Sequence, residues 1–199
     1  MSAAVVTGTG VPGWFGKIPS LGDFASRRLP DTFVRGWDRW LQSGLAHARE
    51  HDDEWLAGYL VAPIRRFWLA PGVLGPAGWA GLLMPSVDRV GRHFPLTVAR
   101  PLQPLSAALA ARAWYDALDQ TARQVLDMDY TVGDFEQALA EVSALRIEAP
   151  EASDQRLADD LGQARTVWWC EDAASLSGFQ AWDTLPAPPV LAAMLGSGP

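Results

Sequence analysis

The chain has 199 residues, enough for one well-packed core with at most a small second domain. Its net charge of −7 disfavours nonspecific binding to nucleic acid or to an anionic membrane surface. The charge is uneven: residues 1–100 carry eleven Lys/Arg against eight Asp/Glu, and the remaining 99 carry five against fifteen, a distribution that suits solvated acidic helices or an acidic docking face. Cys170 is the sole cysteine, which leaves no intramolecular disulfide and no cysteine-based metal site. Residues 1–10 lack a basic stretch followed by an apolar core, and no uncharged apolar run approaches the ~18 residues of a membrane span. These features predict a soluble, cytoplasmic protein with no cofactor, no membrane and no nucleic acid as partner.

Residues 1–12 read as a leader of small residues, and 13–199 as a single domain. Gly13 and Pro19 bound a short strand at Trp14–Ile18, and a turn-rich connection runs from Pro19 to Leu29. Asp31, after Pro30, stands in N-cap position before a segment with Phe33, Trp37, Trp40, Leu41, Leu45 and Ala48 at helical spacing. This predicts an amphipathic helix from Asp31 to about Glu50, and core packing for its aromatic stripe. Asp52-Asp53-Glu54 suits the positive start of a second helix through Trp55 and Tyr59, ending by Pro63.

Ile64 to Ala70 reads as a strand broken by Pro71-Gly72, and the apolar run Trp79 to Met84 as a strand buried on both faces. Phe94 to Arg100 is a further strand stopped by Pro101. An alanine-rich helix is predicted from Ser106 to about Asp127, another from Val132 to Leu145, and a short one around Leu157. Thr166 to Cys170 is a late strand rich in aromatic and β-branched residues, and Pro188-Pro189 precede a terminal helix through Leu191 and Met194. The order β-α-α-β-β-β-α-α-β-α predicts an α/β fold with helices flanking a sheet, and the short connections favour a mixed sheet over an all-parallel one.

Two segments stand apart. Residues 13–24, Gly-Trp-Phe-Gly-Lys-Ile-Pro-Ser-Leu-Gly-Asp-Phe, and residues 84–97, Met-Pro-Ser-Val-Asp-Arg-Val-Gly-Arg-His-Phe-Pro-Leu-Thr, combine glycine, proline, aromatics and charges where a core strand would alternate. Lys17 is the only lysine of the chain. If the strand ends at 18 and 84 lie side by side, Lys17, Asp23, Asp88, Arg89 and Arg92 converge on one polar corner. That corner is either a partner-docking patch or a structural brace in which Asp23 pairs with Arg92.

Other constellations carry less. Asp88, His93 and Ser86 or Ser20 are the residue types of a hydrolytic triad, but no Gly-x-Ser-x-Gly elbow arranges them. His47 and His51 have zinc-binding spacing without a suitable third ligand, and read as surface residues favouring a helix C-terminus. Gly8-Thr9-Gly10 and Gly13 to Gly16 lack the ending of a phosphate loop. Arg27-Arg28 and Arg65-Arg66 are basic doublets, read either as contacts to an acidic partner or phosphopeptide or as exposed solubilising arginines. Trp68, beside the second doublet, is a candidate for stacking on an arginine at an interface. Each of the ten indole N–H groups needs an acceptor, which places several tryptophans at the core edge or an interface.

An ordered series carries a family resemblance. It comprises Phe15-Gly16-Lys17-x-Pro19 with Gly22-Asp23-Phe24, then Phe33-x-x-x-Trp37-Asp38-x-Trp40-Leu41, Trp55, Pro63 and Arg66-Phe67. It continues through Trp79-x-Gly81 to the run from Pro85 to Thr97, and beyond residue 101 it thins to Trp168-Trp169. Over residues 13–101 the chain resembles the TagF/ImpM family of type VI secretion accessory proteins. The resemblance implies a three-layer α/β/α sandwich without enzyme chemistry. It further implies a cytoplasmic, post-translational repressor of the secretion machine that binds an FHA-domain scaffold protein. The alternatives are a structural subunit of the apparatus, or a hydrolase using Asp23, Asp88 and His93.

Overall fold

The computed structural model describes residues 6–7, 10–173 and 175–196. Its chain order is β1 (Val6–Thr7), β2 (Gly13–Gly16), β3 (Ala25–Arg27), α1 (Asp31–His51), α2 (Trp55–Val61), β4 (Arg65–Leu69), β5 (Trp79–Met84) and β6 (Leu96–Gln103). There follow α3 (Leu105–Ala110), α4 (Arg112–Gln124), α5 (Val132–Ser143), α6 (Ala152–Asp160), β7 (Thr166–Trp169), β8 (Phe179–Trp182) and α7 (Pro188–Met194). The strands form one sheet in the order β3-β2-β6-β5-β4-β7-β8, with β1 beside the far end of β6. The chain is thus a single α/β domain.

The expected mixed sheet is replaced by an antiparallel one: every strand pair among the described residues runs antiparallel. Short connections deliver β5 and β6 as antiparallel neighbours, and the long excursion through α3–α6 returns β7 antiparallel to β4 as well. Of the leader expected over 1–12, Val6 and Thr7 pair with Gln103 and Leu102, while residues 1–5 and 8–9 lie outside the described residues.

Consecutive strand residues enter two separate apolar clusters. Trp68, Leu82, Val98, Val167 and Trp169 join one, with Trp114, Leu118 and Phe135 of α4 and α5. Phe67, Leu69, Leu83 and Trp168 join the other, with Phe33, Trp37 and Trp40 of α1, Tyr59 of α2 and Leu191 of α7. The α1 stripe is core, as its spacing requires, and Trp37 donates its indole N–H to Thr97 Oγ1 at 2.7 Å. Gly44 makes room for α7: a side chain there would run into Leu191.

Several boundaries differ from the sequence expectation. Pro30, not Asp31, occupies the N-cap of α1, and Asp31 takes the first helical turn, facing Arg35 at 3.5 Å. Strand β6 passes through Pro101. The Leu102 N–H bonds Gly78 on the β5 side, so the proline nitrogen faces the other edge. On that edge pairing with β2 ends at Ala99, and pairing with β1 begins at Leu102. The helix expected over 106–127 is two, split at Ala111, whose ψ of 35° leaves the helical range. The short helix around Leu157 forms, closed by a reciprocal cap between Glu151 and Asp154.

The polar corner and its relatives

Past the ends of β2, β5 and β6 the chain continues as two loops that meet directly. Strands β2 and β5 are not neighbours, because β6 lies between them. The junction forms beyond the start of β6, where the Ser86 hydroxyl donates to the Lys17 carbonyl at 2.7 Å and the Arg89 N–H to the Leu21 carbonyl at 2.9 Å.

The second loop is shaped from within. Asp88 N–H bonds the Arg92 carbonyl and Gly91 N–H bonds the Asp88 carbonyl, with Gly91 at φ +83°, a left-handed conformation that favours glycine. Asp88 Oδ1 accepts the N–H groups of Val90 and Arg92, at 3.0 and 2.9 Å. A short aspartate side chain that reaches its own backbone in this way is a turn former. Tyr59 of α2 pins the loop from below, its hydroxyl donating to the Ser86 carbonyl and accepting the Ser86 N–H, each at 2.9 Å.

Asp88 Oδ2 is the hub. Lys17 Nζ lies 2.9 Å from it and Arg92 Nε 2.7 Å, with the Asp88 side chain fully inaccessible and that of Lys17 at 6%. Burial pushes the Asp88 carboxyl upward. The Arg92 and Val90 N–H groups and the Lys17 and Arg92 cations outweigh it and hold the group well below the usual carboxylate range. Arg92 also donates to the Gly22 carbonyl at 2.5 Å, locking the two loops together. Lys17 lies over the Phe24 ring at 4.8 Å, and Phe24 meets Phe94 edge-on at 4.7 Å.

Of the five residues expected to converge, Lys17, Asp88 and Arg92 do so. Asp23 does not pair with Arg92: it accepts the Phe24 N–H, and the neighbouring Gly22 carbonyl takes the arginine instead. Arg89 is exposed and is held at its backbone, with no ion pair or side-chain hydrogen bond to another described residue. Tyr59 and Phe24 complete the corner: Phe24 closes the Gly22-Asp23-Phe24 motif, whereas Tyr59 is signalled only by its spacing on a short helix.

The triad residue types do not assemble. Ser86 donates to Lys17, Asp88 is engaged by two cations, and His93 stands edge-on to Trp55 and Tyr59 at 6.4 and 5.8 Å. Burial, with Arg49 and Lys17 nearby, lowers the His93 imidazole from its ordinary value despite the opposing pull of Asp88. His47 and His51 stack on each other at 4.0 Å, with His51 Nδ1 against the His47 carbonyl. Among the described residues, no group of three His, Cys, Asp or Glu is placed to hold a metal ion.

Three of the four doublet arginines are engaged within the fold, while Arg27 is exposed and its side chain reaches only the neighbouring Ser26 carbonyl among the described residues, as a solubilising arginine would. Arg28 bonds the Pro12 carbonyl and Glu136, and buried Arg66 pairs with Asp116 and Asp119. Arg65 reaches Cys170 Sγ and the Met194 carbonyl. Trp68 is likewise core, donating to the Leu102 carbonyl rather than stacking at an interface. The tryptophans are more deeply buried than the need of each N–H for an acceptor suggests. Those of Trp79, Trp114 and Trp168 are buried without a hydrogen-bond partner among the described residues.

No helix among the described residues is long and apolar enough to cross a membrane. A comparison with curated proteins finds no match. The crystal structure of PA0076 from Pseudomonas aeruginosa PAO1 is similar, with a TM-score of 0.79 at 34% identity over 94% of this chain and 95% of that one. The family described as TagF N-terminal domain, type VI secretion system-associated, matches residues 13–142, from the first strand of the corner to the end of α5. The chain belongs to this TagF family and is a type VI secretion system-associated protein.

Proposed function

We propose that this protein is a cytoplasmic regulator of the type VI secretion system that works by binding another protein, and that its partner is an FHA-domain scaffold whose engagement represses the machine after translation. Family membership supports the setting. The observation that carries the binding role is the corner itself, built from two family-signature loops with more cations than carboxylates. Asp88 is shared by Lys17 and Arg92, and the exposed Arg89 projects beside them. Such a surface is braced from within and reads outward as positive charge, which suits recognition. We read the same residues as non-catalytic, since the serine and aspartate are committed to structural bonds. We read the helices that cover the two apolar clusters, α4 and α5 on one and α1, α2 and α7 on the other, as the outer layers of an α/β/α sandwich.

The test is affinity capture of the scaffold from the native bacterium, with a secretion assay after gene deletion. Deletion is expected to raise secretion, and Arg89→Glu to weaken capture with the fold intact. Unchanged secretion on deletion would sink the repressor reading. Stable incorporation of the protein into sedimented secretion particles would favour an assembly subunit instead.

A further inference from the structure

Beside the corner lies a groove of about 610 Å³ between the last turns of α1, the start of α2 and the loop that carries His93. Its lining includes Lys17, Arg49, Arg92 and His93 and no carboxylate. Asp88 lies behind, and its single charge is shared between Lys17 and Arg92. Arg49 makes no ion pair with any described residue; its guanidinium rests 4.9 Å from the Trp55 ring. The groove therefore holds a surplus of positive charge set in aromatic walls, namely Phe24, Trp55 and Phe94. The rest of its lining, Gln42, Leu45 and Ala46, is neutral.

We propose that this groove is a binding site for an acidic peptide segment of a partner protein. One oxyanion side chain sits between Arg49 and Arg92, and an adjacent apolar side chain lies against Phe24 and Trp55. Guanidinium groups favour carboxylate and phosphate by charge-assisted, two-pronged hydrogen bonds. The aromatic walls suit an apolar neighbour, and Phe24 is already 45% exposed. The volume falls within the range of small-ligand sites, about 300–1,000 Å³, and so admits a few side chains rather than a domain. A long polyanion is disfavoured because the second half of the chain is strongly acidic. A short segment with one or two negative charges meets only the local surplus.

The inference deepens the binding reading above, since it names the chemistry that the neighbouring corner would recognise. It is tested separately, with immobilised degenerate peptide libraries whose central residue is fixed as Asp, Asn or phosphothreonine and whose flanks are randomised. Purified full-length protein is expected to be retained at least about tenfold better by the Asp or phosphothreonine library than by the Asn library, roughly 1.4 kcal/mol. Which acidic library retains it better tells whether the anion is a carboxylate or a phosphate. Arg49→Gln is expected to reduce this retention several-fold and Arg49→Glu to abolish it, with melting curves unchanged. Arg49 is exposed, so both variants should fold, and the glutamine variant keeps the test alive if the glutamate one does not.

Equal retention by the Asp and Asn libraries, or acid-selective retention that survives in Arg49→Gln, overturns the proposal. Capture of the FHA-domain scaffold by the same variants separates the two readings. Lost peptide selectivity with scaffold capture intact places the scaffold elsewhere and leaves the groove assignment standing. Failure of the wild-type protein to capture the scaffold, with peptide selectivity intact, removes the scaffold reading alone.

Discussion

The ammonium of Lys17, the chain's only lysine, lies 2.9 Å from Asp88 Oδ2 and joins two loops distant in sequence. The pair is buried, and Arg92 completes the hub from the solvent side with its side chain 55% exposed. Removing the carboxylate would leave a buried ammonium without its counter-charge, a costly arrangement. The hub is therefore both a brace and the source of the positive surplus that faces the groove.

The hub predicts a specific response to acid. A carboxyl whose folded value lies below its unfolded one, about 3.9, adds stability above that unfolded value and loses it as pH falls toward the folded value. Asp88 has this sign, and Asp134 and Glu136 share it. The protein should lose stability progressively below about pH 4. Asp88→Asn should be less stable than the parent near neutrality, with a shallower loss over the acid range. Urea midpoints measured by far-UV circular dichroism at several acid pH values check this. Parallel curves for the two proteins would remove Asp88 from the account.

Arg66 offers a second, independent test. Its guanidinium donates to Asp119 Oδ2 from Nε at 3.1 Å and from a terminal nitrogen at 2.7 Å, with Asp116 at 2.8 Å. Arg66 and Asp119 side chains are 6% and 5% accessible. Replacing one partner of such a pair strands the other, so Arg66→Met should cost about 3–5 kcal/mol. The double variant Arg66→Met with Asp119→Leu should recover most of that loss. Chemical denaturation of the single and double variants measures the coupling; a single variant within about 1 kcal/mol of the parent contradicts it.

Much of this architecture was legible from residue patterns, and the failures have physical causes. The stripe Phe33, Trp37, Trp40 announced α1, and the unbroken apolar run from Trp79 announced a strand buried on both faces. Strand β8 was not legible: Phe-Gln-Ala-Trp sits on the sheet edge, half-buried at its ends and exposed between them. Strand β3 spans only three residues. The break at Ala111 lies within an alanine-rich run that carries no glycine or proline, and it separates α3, which packs on α6, from α4, which packs on α5. Strand direction across the long excursion to β7 has no local signal at all.

At the corner, the unusual lysine and the glycine-bounded turns pointed to Lys17, Asp88 and Arg92. The brace in which Asp23 would pair with Arg92, one of the two readings of this corner, forms instead through the backbone carbonyl one residue earlier. Arg49 was invisible because its role depends on where α1 ends relative to Trp55. The residue resemblance stopped near 101, whereas the family match runs to 142 and the structural likeness covers 94% of the chain. Fold is kept by burial and pairing, which tolerate changes of residue identity.

Thr97 tests whether the aromatic cluster is held by polar bonds as well as by packing. Its side chain is buried and accepts the Trp37 indole N–H, one of the few polar bonds between α1 and the sheet. Thr97→Val keeps the volume nearly constant and leaves that N–H without an acceptor. The expected loss is about 1–3 kcal/mol. Trp37→Phe in the valine background should then cost less than in the parent, because the stranded donor has gone. Additive losses across the four proteins would show that the bond contributes nothing beyond packing.

Gly16 joins the strand to the corner, and it should accept no side chain without loss. Its φ is +136°, where a side chain is strained, and a Cβ there would strike the Pro95 carbonyl at the start of β6. The obstruction is backbone already committed to the sheet: Phe15 pairs with Thr97, and Leu96 with Met84. Neither side can yield without moving Lys17 away from Asp88. Gly16→Ala should therefore cost about 2–4 kcal/mol, combining a left-handed backbone penalty with overpacking. Gly91→Ala makes the control. Its φ is also positive, at +83°, but a Cβ there meets nothing within 4 Å, so only the backbone penalty of about 1–2 kcal/mol applies. Thermal melts of the two variants should rank Gly16→Ala clearly below Gly91→Ala. Equal losses would mean that β2 can slide away from β6, and that the corner is held by its ion pairs rather than by the sheet.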